Sequence, residues 1–180
     1  MIEFAILGLL HEAPMHGYEL RKRLASRLGT LQALSYGSLY PALRRLLRAG
    51  LIAEEETTRG RRAKRVYKLT AEGKERFATL VTEGGPDAWD DDGFGVHLAF
   101  FSRTPAEARM RILEGRRRRV EERREGLRAT LARAGEQIDR YTRELHRMGL
   151  ESSEREVRWL NELIEHERAQ AREADHESES

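Results

Sequence analysis

Basic side chains gather at two places in this sequence, and they could recognise a polyanion without covalent chemistry. Arg44, Arg45 and Arg48 lie within S-Y-G-S-L-Y-P-A-L-R-R-L-L-R-A-G-L-I, residues 35–52. Arg59, Arg61, Arg62 and Lys64 crowd the short run R-G-R-R-A-K that follows an acidic E-E-E-T-T. A guanidinium presents five donors in a planar fork. It can clamp a phosphate, or take the N7/O6 edge of a guanine with two parallel bonds. Tyr18, Tyr36 and Tyr40 could each add a phenolic hydroxyl, and Gly37 and Ser38 leave room for close approach.

Other chemistries lack their residues. The chain has no cysteine, which excludes disulfides, thiol catalysis and the usual zinc-finger ligand set, and makes a reducing cytoplasm the default location. The six histidines show no compact metal-binding spacing. Asp90-Asp91-Asp92 lacks further ligands at fixed offsets and reads as a solvated stretch. With no nucleophile–base pairing and no phosphate-cradling glycine loop, neither an enzyme nor a cofactor is expected. The apolar start, M-I-E-F-A-I-L-G-L-L, has no positive leader and no cleavage site, so it reads as a buried helix and not a signal peptide. No apolar run is long enough to span a membrane.

The elements that must hold the cations can be read from spacing. Residues 2–12 form an apolar helix. A second runs from Tyr18 to Leu28, with Leu20, Leu24 and Leu28 on one face and Gly29 as its stop. The third places Leu39, Leu43 and Leu46 inward. Its outer face carries Gly37, Pro41, Arg44, Arg45 and Arg48. Its start stays open: a cap at Ser35 makes Pro41 a kink, whereas a cap at Ser38 puts Pro41 at a harmless early position. Leu51–Thr58 and Arg65–Leu69 read as paired strands, and a helix opens at Thr70-Ala71-Glu72 with Phe77, Leu80 and Val81 on its buried side. Helix, helix, helix, strand, strand, helix is the order of a winged helix-turn-helix, with residues 59–64 at the tip of the wing.

Residues 83–95 hold four glycines, a proline and three consecutive aspartates, and read as a linker or hinge. Thr104-Pro105-Ala106-Glu107 then starts a long helix. Leu113, Val120, Leu127, Ala134, Tyr141 and Met148 recur every seven residues, with Leu131, Ile138 and Leu145 between the later ones. The spacing predicts a helix of roughly 45 residues, about 65 Å long, broken at Gly149. A return helix is expected from the Ser153/Glu156 capping box, with Val157, Leu160 and Ile164 inward. The arginine run 116–119, with Arg123 and Arg124 beyond it, has Glu121, Glu122 and Glu125 at helical ion-pair distances and reads as a salt-bridged helix face, with Arg118–Glu122 as one such pair. The return helix covers part of this apolar stripe, and a second copy of the chain is expected on the rest, with a self-contained two-helix hairpin as the alternative. Leu127, Leu131, Ile138, Tyr141, Leu145, Trp159, Leu160 and Ile164 are the candidate dimerisation residues. The expected fold is mainly α with a small β-hairpin. Its divisions are a DNA-binding domain over 1–82, a hinge over 83–95, and a helical dimerisation domain over 96–180.

Charge divides the same way. Residues 1–82 hold 15 Lys/Arg against 8 Asp/Glu, and residues 83–180 hold 18 against 23. A basic first half suits a phosphate binder.

Four segments, M-H-G-Y-E-L at 15–20, S-Y-G-S-L-Y-P-A-L-R-R-L at 35–46, G-L-I at 50–52 and V-Y-K-L-T at 66–70, closely resemble the PadR-type transcriptional regulators. The likeness is dense over roughly residues 4–77 and looser beyond, where a long helix and Arg158-Trp159-Leu160 are similar to the longer members. The resemblance implies a homodimeric repressor of a nearby gene, and several members respond to small aromatic or drug-like molecules. The DNA-contact candidates are Tyr18, Arg21, Lys22, Tyr36, Gly37, Ser38, Tyr40, Pro41, Arg44, Arg45, Arg59, Arg61, Arg62 and Lys64. Core packing is the strong competing reading for Tyr36, which projects toward the inner face, and a weaker one for Tyr40. Trp89 and Trp159 are candidate effector contacts, with packing as the competing reading. Two rival functions remain: a winged helix that docks on protein, which would not need four cations at its tip, and a sensor whose ligand is the primary input.

Overall fold

The computed structural model describes residues 1–29, 38–57, 64–134 and 138–178. The described chain is mainly helical with one small antiparallel sheet, the expected class. It forms two compact units, one of Met1–Glu83 with Asp91–Pro105, the other of Gly84–Asp90 with Ala106–Ser180.

In the first unit, helix α1 (Ile2–Glu12) is buried all round from Phe4 to Leu10, because its stretch is apolar on every face. Strand β1 (Met15–His16) leads into α2 (Gly17–Leu28), which buries Leu20, Leu24 and Leu28. Helix α3 (Leu39–Arg48) buries Leu39, Ala42, Leu43 and Leu46. Strands β2 (Ile52–Thr57) and β3 (Lys64–Leu69) follow, then α4 (Ala71–Thr82). The sheet order is β1-β3-β2, with Met15 opposite Tyr67 and Glu54 opposite Tyr67 from the other side. Two residues are too few for β1 to be legible as a strand; the ladder to β3 makes it one.

The open question at the start of α3 resolves toward Ser38. Leu39 is the first helical residue, so Pro41 sits third, where its missing N–H has no intrahelical partner to lose. The other end is fixed by Gly50 at φ +70°. Its N–H donates to the Leu47 carbonyl and that of Leu51 to the Leu46 carbonyl, the paired bonds of a Schellman stop. The Thr70 hydroxyl donates to the Gly50 carbonyl at 2.7 Å and accepts from the Gly73 N–H at 3.0 Å. One side chain therefore caps α4 and ties it to the end of α3.

Helix α6 (Phe94–Leu98) and a 3-10 turn at Phe101–Arg103 complete this unit. Phe100 reaches α1 at Gly8, where an added Cβ would lie 2.3 Å from the ring. Phe4 and Phe77 meet the same ring edge-on, and the Arg27 guanidinium stands 5.2 Å from its centroid. The stretch from 83 to 95, read from sequence as irregular, thus contains the short helix α5 (Pro86–Trp89) and the start of α6.

The second unit is a helical hairpin, but it turns earlier than the sequence suggested. Helix α7 (Ala106–Ala134) has 29 residues and α8 (Arg140–Ser178) has 39, in place of one rod ending at Gly149. Asp139 starts α8: its carboxylate accepts the N–H groups of Tyr141 and Thr142 at 2.8 and 3.1 Å, and the Thr142 hydroxyl as well. Gly149 is an interior residue of α8. An added Cβ there would stand 3.3 Å from Leu127, so the glycine gives α7 clearance, and one interior glycine costs a helix only about 1 kcal/mol. Ser153 caps nothing; its hydroxyl donates to the Gly149 carbonyl. The ion pairs also differ from expectation. Those of Arg109, Arg116 and Arg128 run across the hairpin to Glu167, Glu156 and Glu154. Trp89 lies on Gly115, where an added Cβ would fall 2.4 Å from the indole.

Candidate nucleic-acid interface

The outer face of α3 is built by its inner one. Packing Leu39, Ala42, Leu43 and Leu46 into the core turns Tyr40, Arg44, Arg45 and Arg48 outward, and all four are exposed. Pro41 is half-buried on the same side. Arg48 donates its Nε–H to the Arg44 carbonyl at 3.3 Å, which lays its side chain back along the helix. Arg44, Leu47 and Arg48 line a shallow hollow, and neither arginine has an ion pair among the described residues.

Arg45 is different. Its Nε–H donates to Glu3 of α1 at 2.6 Å. The two residues are 42 positions apart, so nothing local in the sequence announced the pair. The wing strands are also partly neutralised: Glu54 stands 3.7 Å from Arg65, and Glu55 pairs with Lys68. An acidic run facing a basic one across a hairpin is a sequence signal that could have foretold these cross-strand pairs.

Beside α3 lies a cleft of about 600 Å³ lined by His16, Gly17, Tyr18, Glu19, Tyr40, Arg65 and Tyr67. Tyr18 is 76% exposed and Tyr40 54%, whereas Tyr67 is buried as the floor. Burial, then the nearby Glu54 carboxylate, raises the Tyr67 phenol above its ordinary value of 10.0. His16 Nδ1 lies 3.1 Å from the Arg65 carbonyl. A carbonyl only accepts, so Nδ1 carries the proton and Nε2 is the nitrogen left for another partner. His16 and Arg65 were not singled out from the sequence; strand β1 brings the histidine here.

Of the other candidates, Arg21 and Lys22 are exposed on α2, and Ser38 precedes α3. Lys64 opens β3, with its side chain outside the described set. Tyr36, Gly37, Arg59, Arg61 and Arg62 lie outside the described residues. Among those described, no group of acidic or histidine side chains could hold a metal, and no helix is long and apolar enough to cross a membrane.

The comparisons join this arrangement to known proteins. The model of the "Transcriptional regulator PadR-like family" matches residues 6–79. Over this segment the chain resembles the PadR-like family. The "Negative transcriptional regulator PadR" of Bacillus subtilis (strain 168) is 32% identical over 78 residues, which cover 43% of each chain. The chain thus spans less than half the length of that curated relative. A solved structure of Bacillus subtilis PadR in complex with operator DNA is 20% identical, covering 92% of this chain and 98% of its own, at a TM-score of 0.46. A regulator from Thermoplasma acidophilum, described as putative, is 35% identical over 43% of this chain and 72% of its own, at a TM-score of 0.38. The PadR-like segment contains α2, α3 and both strands of the wing, hence every DNA-contact candidate.

The dimerisation candidates fall into two groups. Leu160 and Ile164 are buried in the single chain, as are Val157 on α8 and Ile112, Leu113 and Val120 on α7. Tyr141 is 83% exposed, and Leu145 and Met148 are 60% exposed. They are spaced four and three residues apart, on one side of α8. Leu127, Leu131 and Ile138 are half-buried. Of the two tryptophans, Trp89 is half-buried against Gly115 and its carbonyl accepts from Arg116 at 3.3 Å. Trp159 is exposed.

Proposed function

We propose that this protein is a sequence-specific DNA-binding transcriptional regulator that represses as a homodimer on an inverted repeat. The observation that carries the reading is the outer face of α3, where Arg44 and Arg48 stand exposed and unpaired among the described residues, inside the PadR-like segment. In a helix-turn-helix the second helix enters the major groove. Arg44 and Arg48 serve phosphate or guanine, Tyr40 and Tyr18 offer hydroxyls to the backbone, and Arg59, Arg61, Arg62 and Lys64 extend the contact through the wing. Repression follows the function named for the Bacillus subtilis relative.

Residues 1–82, completed by α6 and Phe100, act as the reader, and α7 and α8 act as the assembly region. The apolar line of Tyr141, Leu145 and Met148 supports self-association, since a stripe of this kind is costly to leave in water. Two readers so joined take half-sites about 34 Å apart. The protein works in the cytoplasm, without catalysis, metal or cofactor.

Gel shift on duplex from the chain's own upstream region tests the reading, together with sedimentation of the free protein. Salt-sensitive binding by a dimer is the expected result. A monomer that ignores duplex DNA at low salt would refute it. A protein-docking winged helix would behave in that second way. A small aromatic effector is a further partner, favoured by the exposed Trp159 ring; quenching of tryptophan fluorescence together with loss of the gel shift is its test.

A further inference from the structure

We infer that Glu3 is a positioning residue that keeps Arg45 from neutralising DNA phosphate, and so sets how strongly the α3 face holds any duplex. The inference rests on the DNA-binding reading above. Three arginines project from the outer side of α3. Two of them, Arg44 and Arg48, have no ion pair among the described residues. The third, Arg45, donates to the Glu3 carboxylate at 2.6 Å, with about half of each side chain in solvent. Glu3 comes from another helix, so the pair is not a by-product of helical spacing.

A guanidinium already matched by a carboxylate adds no net charge to the surface. To neutralise a phosphate it would have to leave Glu3, and the freed carboxylate would then face the polyanion at short range. Both effects oppose contact, so Arg45 drops out of the count of released counterions that drives sequence-independent binding. An exposed pair of this kind contributes little to folding. Its effect is therefore better sought in the salt dependence of binding than in stability. The wing repeats the device, with Glu54 and Glu55 against Arg65 and Lys68. The surplus charge left on α3 is that of Arg44 and Arg48.

The test is Glu3→Gln, which keeps an oxygen for the Arg45 Nε–H and removes only the charge. Binding of the full chain to its operator and to a random duplex is measured between about 50 and 200 mM salt. For each bound chain the slope of log K against log salt should steepen by about 0.9, so the variant loses about threefold more affinity over that range than the parent. Both duplexes should show the change alike. Adding Arg45→Gln should return the slope to the parent's value. Glu72→Gln, an equal charge change at an exposed position of α4, should leave the slope alone. Melting temperatures should match throughout.

An unchanged slope in Glu3→Gln, or weaker binding with a shallower slope, overturns the inference and leaves the DNA-binding reading intact. An equal steepening in Glu72→Gln also overturns it, because net charge alone would then account for the effect. A parent protein that binds neither duplex at low salt removes both.

Discussion

The first unit and the helical hairpin use the same residue types for opposite ends. In the first, arginines border an apolar interior and are paired at its edge: Arg45 with Glu3, Arg27 with Glu12, and Arg23 with Glu19 and Glu12. In the hairpin, the Arg116 side chain is itself inside, 8% exposed, bonded to Glu156 at 2.6 Å and to the Trp89 carbonyl. The exposed aliphatic side chains differ as well. The first unit buries Phe4, Phe77 and Phe100, while the hairpin leaves Tyr141, Leu145 and Met148 in solvent. A surface that pairs off its peripheral cations and keeps a few is suited to a charged partner. A helix pair that buries an ion pair among its aliphatic side chains and leaves an apolar stripe outside is suited to an apolar one.

The contrast breaks most visibly at Phe100. Phe100→Ala should empty the space over Gly8 and between Phe4 and Phe77, at a cost of about 3–5 kcal/mol. Denaturant unfolding followed by near-UV dichroism would measure it, and a cost under about 1 kcal/mol would mean the ring does not hold α6 to α1. Next comes Arg116→Ala, which leaves Glu156 without its guanidinium at the hairpin's centre. Breaking a buried pair from one side costs about 3 kcal/mol. Arg116→Met should recover much of that if accompanied by Glu156→Leu, since the pair's desolvation is removed together with the pair. If Arg116→Ala alone were neutral, the ion would be as solvent-screened as those of the first unit and the contrast would fail.

Leu145→Glu addresses the grease. A charge on the open stripe of α8 should shift the proposed dimer toward monomer by tenfold or more in dissociation constant, the equivalent of about 1.4 kcal/mol, with helical content unchanged. Sedimentation equilibrium reads the first and far-UV dichroism the second. A dimer as tight as the parent's would place the interface elsewhere on the hairpin.

How far these features could be read in the sequence depended on their range. The core positions of α2 and α3 follow from leucines at helical spacing, and Gly50 marks the end of α3, whereas Pro41 left its start open between Ser35 and Ser38. The outer face of α3 was equally plain, because a face is the complement of a core. Three things were not plain. Strand β1 exists only through its ladder to β3. The Glu3–Arg45 pair joins residues without a shared local pattern. Phe100 finds Gly8 across most of the first unit's sequence. The hairpin's turn was misjudged for a different reason. Gly149 looked like a break because glycine is a poor helix former, yet in α8 it supplies clearance for Leu127, a use that only the packed neighbour reveals. The heptad count ran on past the end of α7 because Leu131, Ile138 and Leu145 keep the seven-residue period from α7 to α8.

The smallest effect belongs to Asp139, the residue that starts α8. The Thr142 hydroxyl, then the backbone N–H groups of Thr142 and Tyr141, hold its carboxyl below the ordinary value of 3.8. A folded value below the unfolded one means that the bond's stabilising effect is complete above the unfolded value and fades as pH falls through the folded one. Asp139→Ala should therefore lower the melting temperature slightly at neutral pH. The difference from the parent should shrink below pH 4 and vanish once the parent's carboxyl is protonated. Asp139→Asn should fall between the two at neutral pH, since its amide oxygen can still accept the N–H bonds without the charge that favours a helix N-terminus. A difference from the parent that stays constant down to pH 2 would mean that Asp139 acts by backbone preference alone. The hairpin's turn would then depend on the chain's local conformation and not on this cap.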